Sequence, residues 1–175
     1  LSETTVSQKL RDQIDWYLSR TAQSGRERLL AGLRGLSMEE QRRRLQLLEL
    51  SLRDRRGVAL LPGWTELSAG LYADRDVEIR GLSESIGAAL SDPVLLASLR
   101  GIVADRAADL RRRRQAVEVL ASAADAQSLS VLLELLNEAE LRGDVIPRLV
   151  RFRGDEIAEQ LLAGLGQYSE AQRQQ

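Results

Sequence analysis

A carboxylate followed six residues later by an arginine recurs in this chain. Asp74 precedes Ile79-Arg80, and Asp105 precedes Leu110-Arg111. Asn137 with Leu141-Arg142 is a version one residue shorter. The chemistry open to such a pair is recognition, not bond-breaking. A carboxylate at a helix start accepts from the backbone N–H groups of the first turn and from a guanidinium, whose planar fork offers parallel donors. On successive turns of a repeated structure these residues form a ladder, with Asp74, Arg80, Asp105, Arg111, Asn137 and Arg142 as its members. An earlier copy keeps Arg42 but has Leu36 where the aspartate would stand, and a last one keeps Arg173 near Tyr168.

A second set of arginines lies on the helices that follow the turns. Arg43, Arg44, Arg112, Arg114, Arg148 and Arg151 would line one face, a groove for an acidic partner. Glu39, Glu40, Glu78, Asp109 and Glu118 are interleaved with them, so the same face also reads as a solvated, self-neutralised surface. Asp105/Asp109 and Glu156/Glu159 have the helical spacing that acid–base pairs use, but any soluble helix offers such spacing, and no catalytic residue is assigned. Arg111 to Arg114 are four consecutive residues on one helix and so cover every face. At least one must lie near the core, its stem packed and its head reaching out.

Composition removes whole classes of chemistry. The chain has no Cys and no His, which excludes disulfides, thiol or imidazole catalysis, zinc fingers and CxxCH haem attachment within it. With one Met besides, no ligand set for a metal, nucleotide or haem is present, and no cofactor is expected. The net charge is −1, from 25 basic and 26 acidic residues. That gives no surplus to drive binding to nucleic acid, and no small-molecule ligand is expected either. No apolar run approaches the ~20 residues that span a bilayer, so direct membrane insertion is not expected. The first residue is Leu1, which suits a processed protein or an excised piece.

The elements that must position these arginines follow from periodicity. Asp92 and Asp125 open equivalent segments 33 residues apart, a period of helical-hairpin repeats. Val6, Leu10, Ile14, Tyr17 and Leu18 form one helical stripe over 3–20, read as an N-terminal capping helix; Trp16, Tyr17 and Trp64 are read as its anchors on the first repeats, with exposed contact points as the alternative, and residues 1–24 are this helix and its linker, 25–175 the repeat array. Helix pairs are expected at 26–35 with 37–54, 62–73 with 75–90, 92–104 with 107–124, and 126–138 with 141–153. Ser37-x-x-Glu40 fits a capping box. Val58, Ala59, Leu60 and Leu61 are too apolar for a free loop. Ala-Gly-Leu recurs at 31–33, 69–71 and 163–165, its glycine read as a site of close helix crossing. Pro147 either kinks its helix or falls in the first turn of a later one capped by Asp144. A fifth pair opens at 155–167, and LLAGL-GQY-SEAQR at 161–173 matches LLAGL-RGL-SMEEQR at 29–42. The second helix of that pair has only Ser169–Gln175, so the array is expected to continue past Gln175, with fraying or association at this end.

The Asp-x4-aliphatic-Arg pattern, with Ala116 and Leu120 and then Ile146 and Val150 in the apolar slots that follow, resembles HEAT repeats of the short variety found in phycobilin lyases. The resemblance covers about 26–175. It implies an all-α, right-handed α-α superhelix of about five helical hairpins plus the N-terminal helix. LSDPVLLASLRGIVAD (90–105), LRGDVIPRLVRFRGDEIAEQLL (141–162) and GLGQYSEAQR (164–173) are also similar to the HEAT region of large bacterial multidomain proteins. There it lies between a membrane-associated dehydrogenase-like domain and a c-type haem domain. That resemblance implies a non-catalytic scaffold whose partners are proteins or neighbouring domains of the same chain, in an extracytoplasmic or membrane-associated setting. The alternatives are a HEAT-like enzyme or chaperone acting on a tetrapyrrole, or a nucleic-acid-binding HEAT domain.

Overall fold

Most helices here open where a short polar or acidic side chain precedes an apolar period. The structure, a computed structural model, describes residues 8–53, 55, 58–168 and 170. It is all-helical, with no strand among the described residues. Two compact units divide the chain, Leu1–Asp92 and Pro93–Gln175.

The first unit holds α1 (Gln8–Thr21), α2 (Gln23–Leu30), a 3₁₀ turn at Leu33–Gly35, α3 (Met38–Leu52), α4 (Trp64–Tyr72) and α5 (Val77–Ala89). Ser37 caps α3 by accepting from the Glu40 N–H, and Asp76 caps α5 by accepting from those of Glu78 and Ile79. α1 packs on α2 and α3, α2 on α3, α3 on α5, and α4 on α5. Leu29, Leu33, Leu45, Leu48, Leu52, Trp64, Ile79 and Ile86 form its core. Each such side chain contributes about 1.5–3 kcal/mol when fully buried.

The second unit holds α6 (Pro93–Ala104), α7 (Leu110–Ala123), α8 (Ala126–Glu134) with a 3₁₀ turn at Leu135–Asn137, α9 (Ala139–Val145) running into a 3₁₀ segment at Ile146–Arg151, and α10 (Asp155–Gly164) with a 3₁₀ turn at Leu165–Gln167. α6 packs on α7 and on α8, and α7 on α9. Leu95, Leu99, Val103, Val117, Leu120, Leu132, Leu141 and Val145 are buried in it.

Several local expectations need correction. The stripe of α1 is not a buried face: Leu10, Ile14 and Tyr17 are exposed, Leu18 is half-buried, and Val6 lies outside the described residues. Trp16 is exposed too, with the Arg20 guanidinium 5.4 Å from its ring centroid, so neither aromatic anchors the helix. The helix is held at its C-terminal end, where the carbonyls of Ser19 and Arg20 accept from Arg26 Nη1 (2.8 Å) and Arg55 Nη2 (2.6 Å). Burial, and then the nearby charge of Arg55, push the Arg26 pKa down. No long linker follows, since only Ala22 separates α1 from α2.

The close helix crossing is at Gly25, where an added Cβ would lie 2.2 Å from the Leu18 carbonyl. The Ala-Gly-Leu glycines do not share one role. Gly70 faces open space, Gly32 takes a left-handed φ of 69° after α2, and Gly164 lies against the Tyr168 hydroxyl. Leu61 is buried as expected, but Leu60 is exposed. At Pro147 the chain neither kinks an α-helix nor starts a new one. It tightens from α to 3₁₀ geometry, which tolerates the missing N–H.

Candidate functional site

Counting from the N-cap positions of α3, α5, α7 and α9, the fourth position inside carries Gln41, Arg80, Arg113 and Arg142. Each turns back to a main-chain carbonyl that closes the preceding segment. Gln41 Nε2 donates to Leu36 O at 2.9 Å, and Arg80 Nη1 to Asp74 O at 2.9 Å. Arg113 donates to Val103 O through Nε (3.0 Å) and Nη2 (2.7 Å), and Arg142 Nε to Leu136 O at 2.6 Å. The terminal carbonyls of a helix have no partner of their own, and Arg113 and Arg142 satisfy one each, while Gln41 and Arg80 serve carbonyls just past the helix end. The local cause is helical periodicity. Arg113 falls three, four and seven residues before Ala116, Val117 and Leu120, so it shares their buried face.

A second set of contacts joins alternate helices. Arg42 of α3 meets the cap of α5, Nη2 to Asp76 Oδ2 at 2.7 Å, and Nε meets Glu78 at 2.9 Å. Arg100 of α6 meets Asp125, which precedes α8, at 2.6 Å, and donates to Gln127 at 3.1 Å. Arg113 of α7 meets Glu138, which precedes α9, at 2.8 Å. Arg114 adds Asp144 at 3.0 Å and the Glu140 carbonyl at 3.1 Å. The Ile79 N–H, and then Arg42, hold the Asp76 carboxyl below the usual range. The Arg113 guanidinium does the same to Glu138.

The first unit also contains a buried carboxylate served by aromatic donors. Trp64 Nε1 and Tyr72 OH both donate to Asp92 Oδ2, at 2.9 and 2.7 Å. The two rings meet edge to face with centroids 6.1 Å apart. Burial, then the hydrogen bond to Asp92, push the Tyr72 hydroxyl well above its ordinary pKa. In this contact α4 reaches the last residue of the first unit, and two neutral donors serve the carboxylate where Asp76, Asp125 and Glu138 are served by arginine. Nearby, Leu33, Arg34, Gln41, Leu67, Leu71 and Asp74 line a cleft of about 230 Å³.

No family model, curated protein or solved structure matches this chain.

The expected ladder of loop aspartates and arginines does not form, and the polar links run in a different register. Asp105 and Arg111 do not pair. The Asp105 carboxylate accepts from the Ala107 N–H, while Arg111 is exposed and has no partner among the described residues. Asp74 meets Arg80 through its carbonyl, and its carboxylate accepts from the Asp76 N–H. Asn137 is exposed, and Arg142 reaches the carbonyl of Leu136 beside it. The arginine of the 111–114 run that turns inward is Arg113, head as well as stem, with 3% of its surface exposed.

Of the arginines read as an interaction face, most are engaged within the chain. Arg43 and Arg44 pair with Glu40, and Arg44 also donates to Ala31 O. Arg114 holds Asp144, and Arg148 donates to the Asp144 carbonyl. Arg112 is half-buried, and Arg151 is exposed. The parts that Arg100, Arg113 and Glu138 play in these links were missed, and for Arg113 the signal was its position relative to the cap residue Asp109 rather than its distance from an aspartate in the loop.

Proposed function

We propose that the chain is a non-catalytic helical-repeat module, a right-handed α-α superhelix of HEAT-like type. It holds protein partners, or neighbouring domains of a larger multidomain protein with redox domains, at fixed geometry. The observation that carries this reading is the use of charge. In each unit, arginines of one helix secure the cap residue of the next helix but one, as Arg42 does Asp76 and Arg113 does Glu138. Carboxylates held in this way resist protonation, which suits a rigid frame and not a proton-transfer site. The 33-residue recurrence and the HEAT-like motif support the same reading.

Two measurements test it. The chain has no cysteine, so Ser98→Cys with Ser130→Cys places two spin labels cleanly on exposed sites of α6 and α8. A rigid frame gives one narrow interlabel distance, and a broad distribution overturns the spacer role. Titration with haem, biliverdin or duplex DNA should give no saturable signal. Stoichiometric binding of a tetrapyrrole or of DNA would replace the scaffold with the enzyme, chaperone or nucleic-acid reading.

A further inference from the structure

The tripeptide Ala-Gly-Leu stands at 31–33 and at 69–71, and both copies meet at one place. Leu33 from the first, with Gly70 and Leu71 from the second, lines the cleft of about 230 Å³ in the first unit. The two glycines serve it differently. Gly32, at a left-handed φ of 69°, turns the chain out of α2 so that Leu33 is buried while Arg34 stays exposed. Gly70 lies inside α4, where glycine weakens a helix relative to alanine. Nothing from the rest of the chain stands within 4 Å of where its Cβ would be, so close packing does not account for it. Gly70 is part of the cleft wall, and a larger residue there would narrow the opening.

The polar groups of the cleft have hydrogen-bonding capacity of both kinds left over. Arg34 Nη2 donates to the Glu66 carbonyl, and the other N–H groups of that guanidinium meet no acceptor among the described residues. Gln41 uses Nε2 on the Leu36 carbonyl, and Asp74 uses Oδ1 on the Asp76 N–H at 2.8 Å. Gln41 Oε1 and Asp74 Oδ2 accept nothing from the described residues. The rest of the lining is aliphatic, Leu33, Leu67 and Leu71.

This set of groups selects an occupant. One guanidinium and one carboxylate cancel, so the cleft does not favour a net charge. Spare donors beside spare acceptors match a peptide unit, which brings one C=O and one N–H and is neutral. The volume lies below the ~300–1,000 Å³ of most small-molecule sites and suits one side chain with its flanking peptide groups. We propose that the cleft seats a single apolar anchor residue, of leucine size, from an extended segment of a partner polypeptide. Its side chain packs on Leu33, Leu67 and Leu71. A flanking carbonyl accepts from Arg34, and a flanking N–H donates to Asp74 or Gln41. Anchors seated in pockets carry much of the affinity of protein interfaces. The inference rests on the reading of the chain as an interaction module and says where, and by what chemistry, a protein partner is held.

The probe is N-acetyl-leucine N-methylamide, a leucine side chain between two peptide groups, titrated into the isotope-labelled whole chain and followed by NMR. Saturable shifts at millimolar probe are expected at the Gly70 amide, the Gln41 side-chain amide and the Arg34 Nε–H. Gly70→Leu should weaken binding at least about tenfold. Arg34→Ala, at an exposed residue, should weaken it as well, and keeps the test open should Gly70→Leu lower the thermal melt. The serine counterpart of the probe should give no saturation. Absence of saturable shifts at these groups, or binding indifferent to both variants, overturns the proposal. So does saturation by free leucine but not by the capped form, which would assign the cleft to a charged amino acid. The spin-label distance between α6 and α8 is read in the second unit, so the cleft and the scaffold role can fail separately.

Discussion

Arg113 and Glu138 stand 25 residues apart, yet their side chains meet twice, Nη1 to Oε2 at 2.8 Å and Nη2 to Oε1 at 3.1 Å. The same guanidinium holds the Val103 carbonyl, so one side chain ties α6, α7 and the start of α9 together. Its neighbour Arg111, two residues away, touches nothing charged among the described residues.

That contrast gives the first prediction. Arg113→Ala strands the Val103 carbonyl, while the partly exposed Glu138 keeps Arg106 at 3.4 Å, so a loss of about 1–3 kcal/mol is expected. Arg111→Ala, on the exposed side, changes stability by no more than ~0.5 kcal/mol. Urea denaturation of the two variants measures both. Equal losses would mean that the arginine run acts by charge alone.

Acid should loosen the frame through Glu138 and Asp76. Both carboxyls are held below their ordinary values of 4.5 and 3.8, so the unfolded chain takes up protons before the folded one does. Their contribution is complete above those values and is lost as pH falls through and beneath them. Denaturation midpoints should therefore be flat between pH 6 and 7 as far as these two groups are concerned, and fall below about pH 4.5. Glu138→Gln should make that acid limb shallower.

Asp92 satisfies a buried and a half-buried donor at once, so Asp92→Ala leaves the Trp64 N–H and the Tyr72 hydroxyl without it. Each stranded buried group costs about 1–3 kcal/mol. A loss of ~2 kcal/mol or more is expected, with the emission of Trp64 shifted to the red as water reaches the indole. Trp64→Phe should cost less than Asp92→Ala, because it removes one donor and keeps an aromatic ring in the core.

Two glycines separate packing from propensity. Gly25→Ala places a methyl group 2.2 Å from the Leu18 carbonyl, so α1 must move off α2, and a loss of about 2 kcal/mol or more follows. Gly70 lies inside α4 with no atom near the position of a Cβ. Gly70→Ala should therefore raise stability by about 0.5–1 kcal/mol. Thermal melts of the pair decide the matter, and a stabilised Gly25→Ala would disprove the close crossing.

Much of the fold was legible because its helices carry strong local signals. Ser37-x-x-Glu40, the repeated Asp92 and Asp125, and the apolar periods of α5 to α8 put most boundaries within a few residues of those observed. The register of the polar links was not legible from spacing alone. In the 105–109 connection two aspartates compete, and the loop aspartate lies nearer the pattern seen at Asp74. Asp109 wins the cap because its side chain reaches the Arg112 N–H, and this moves the inward position from Arg111 to Arg113. The exposed stripe of α1 was misread for a different reason. Amphipathic periodicity reports a face able to be buried, while the neighbour that would bury it is a tertiary fact.

The 3₁₀ segment at Ile146–Arg151 has a dimensional meaning. A 3₁₀ turn advances about 2.0 Å per residue, where an α-helix advances about 1.5 Å. Those six residues therefore reach roughly 3 Å farther than the same number would in α9 itself. The tighter winding also sets neighbouring side chains on different bearings, Leu149 buried and Val150 84% exposed. Pro147 thus acts as a written instruction for length and bearing. Replacing it with alanine would leave the composition of the core intact while making this strut shorter and turning its last residues toward another side.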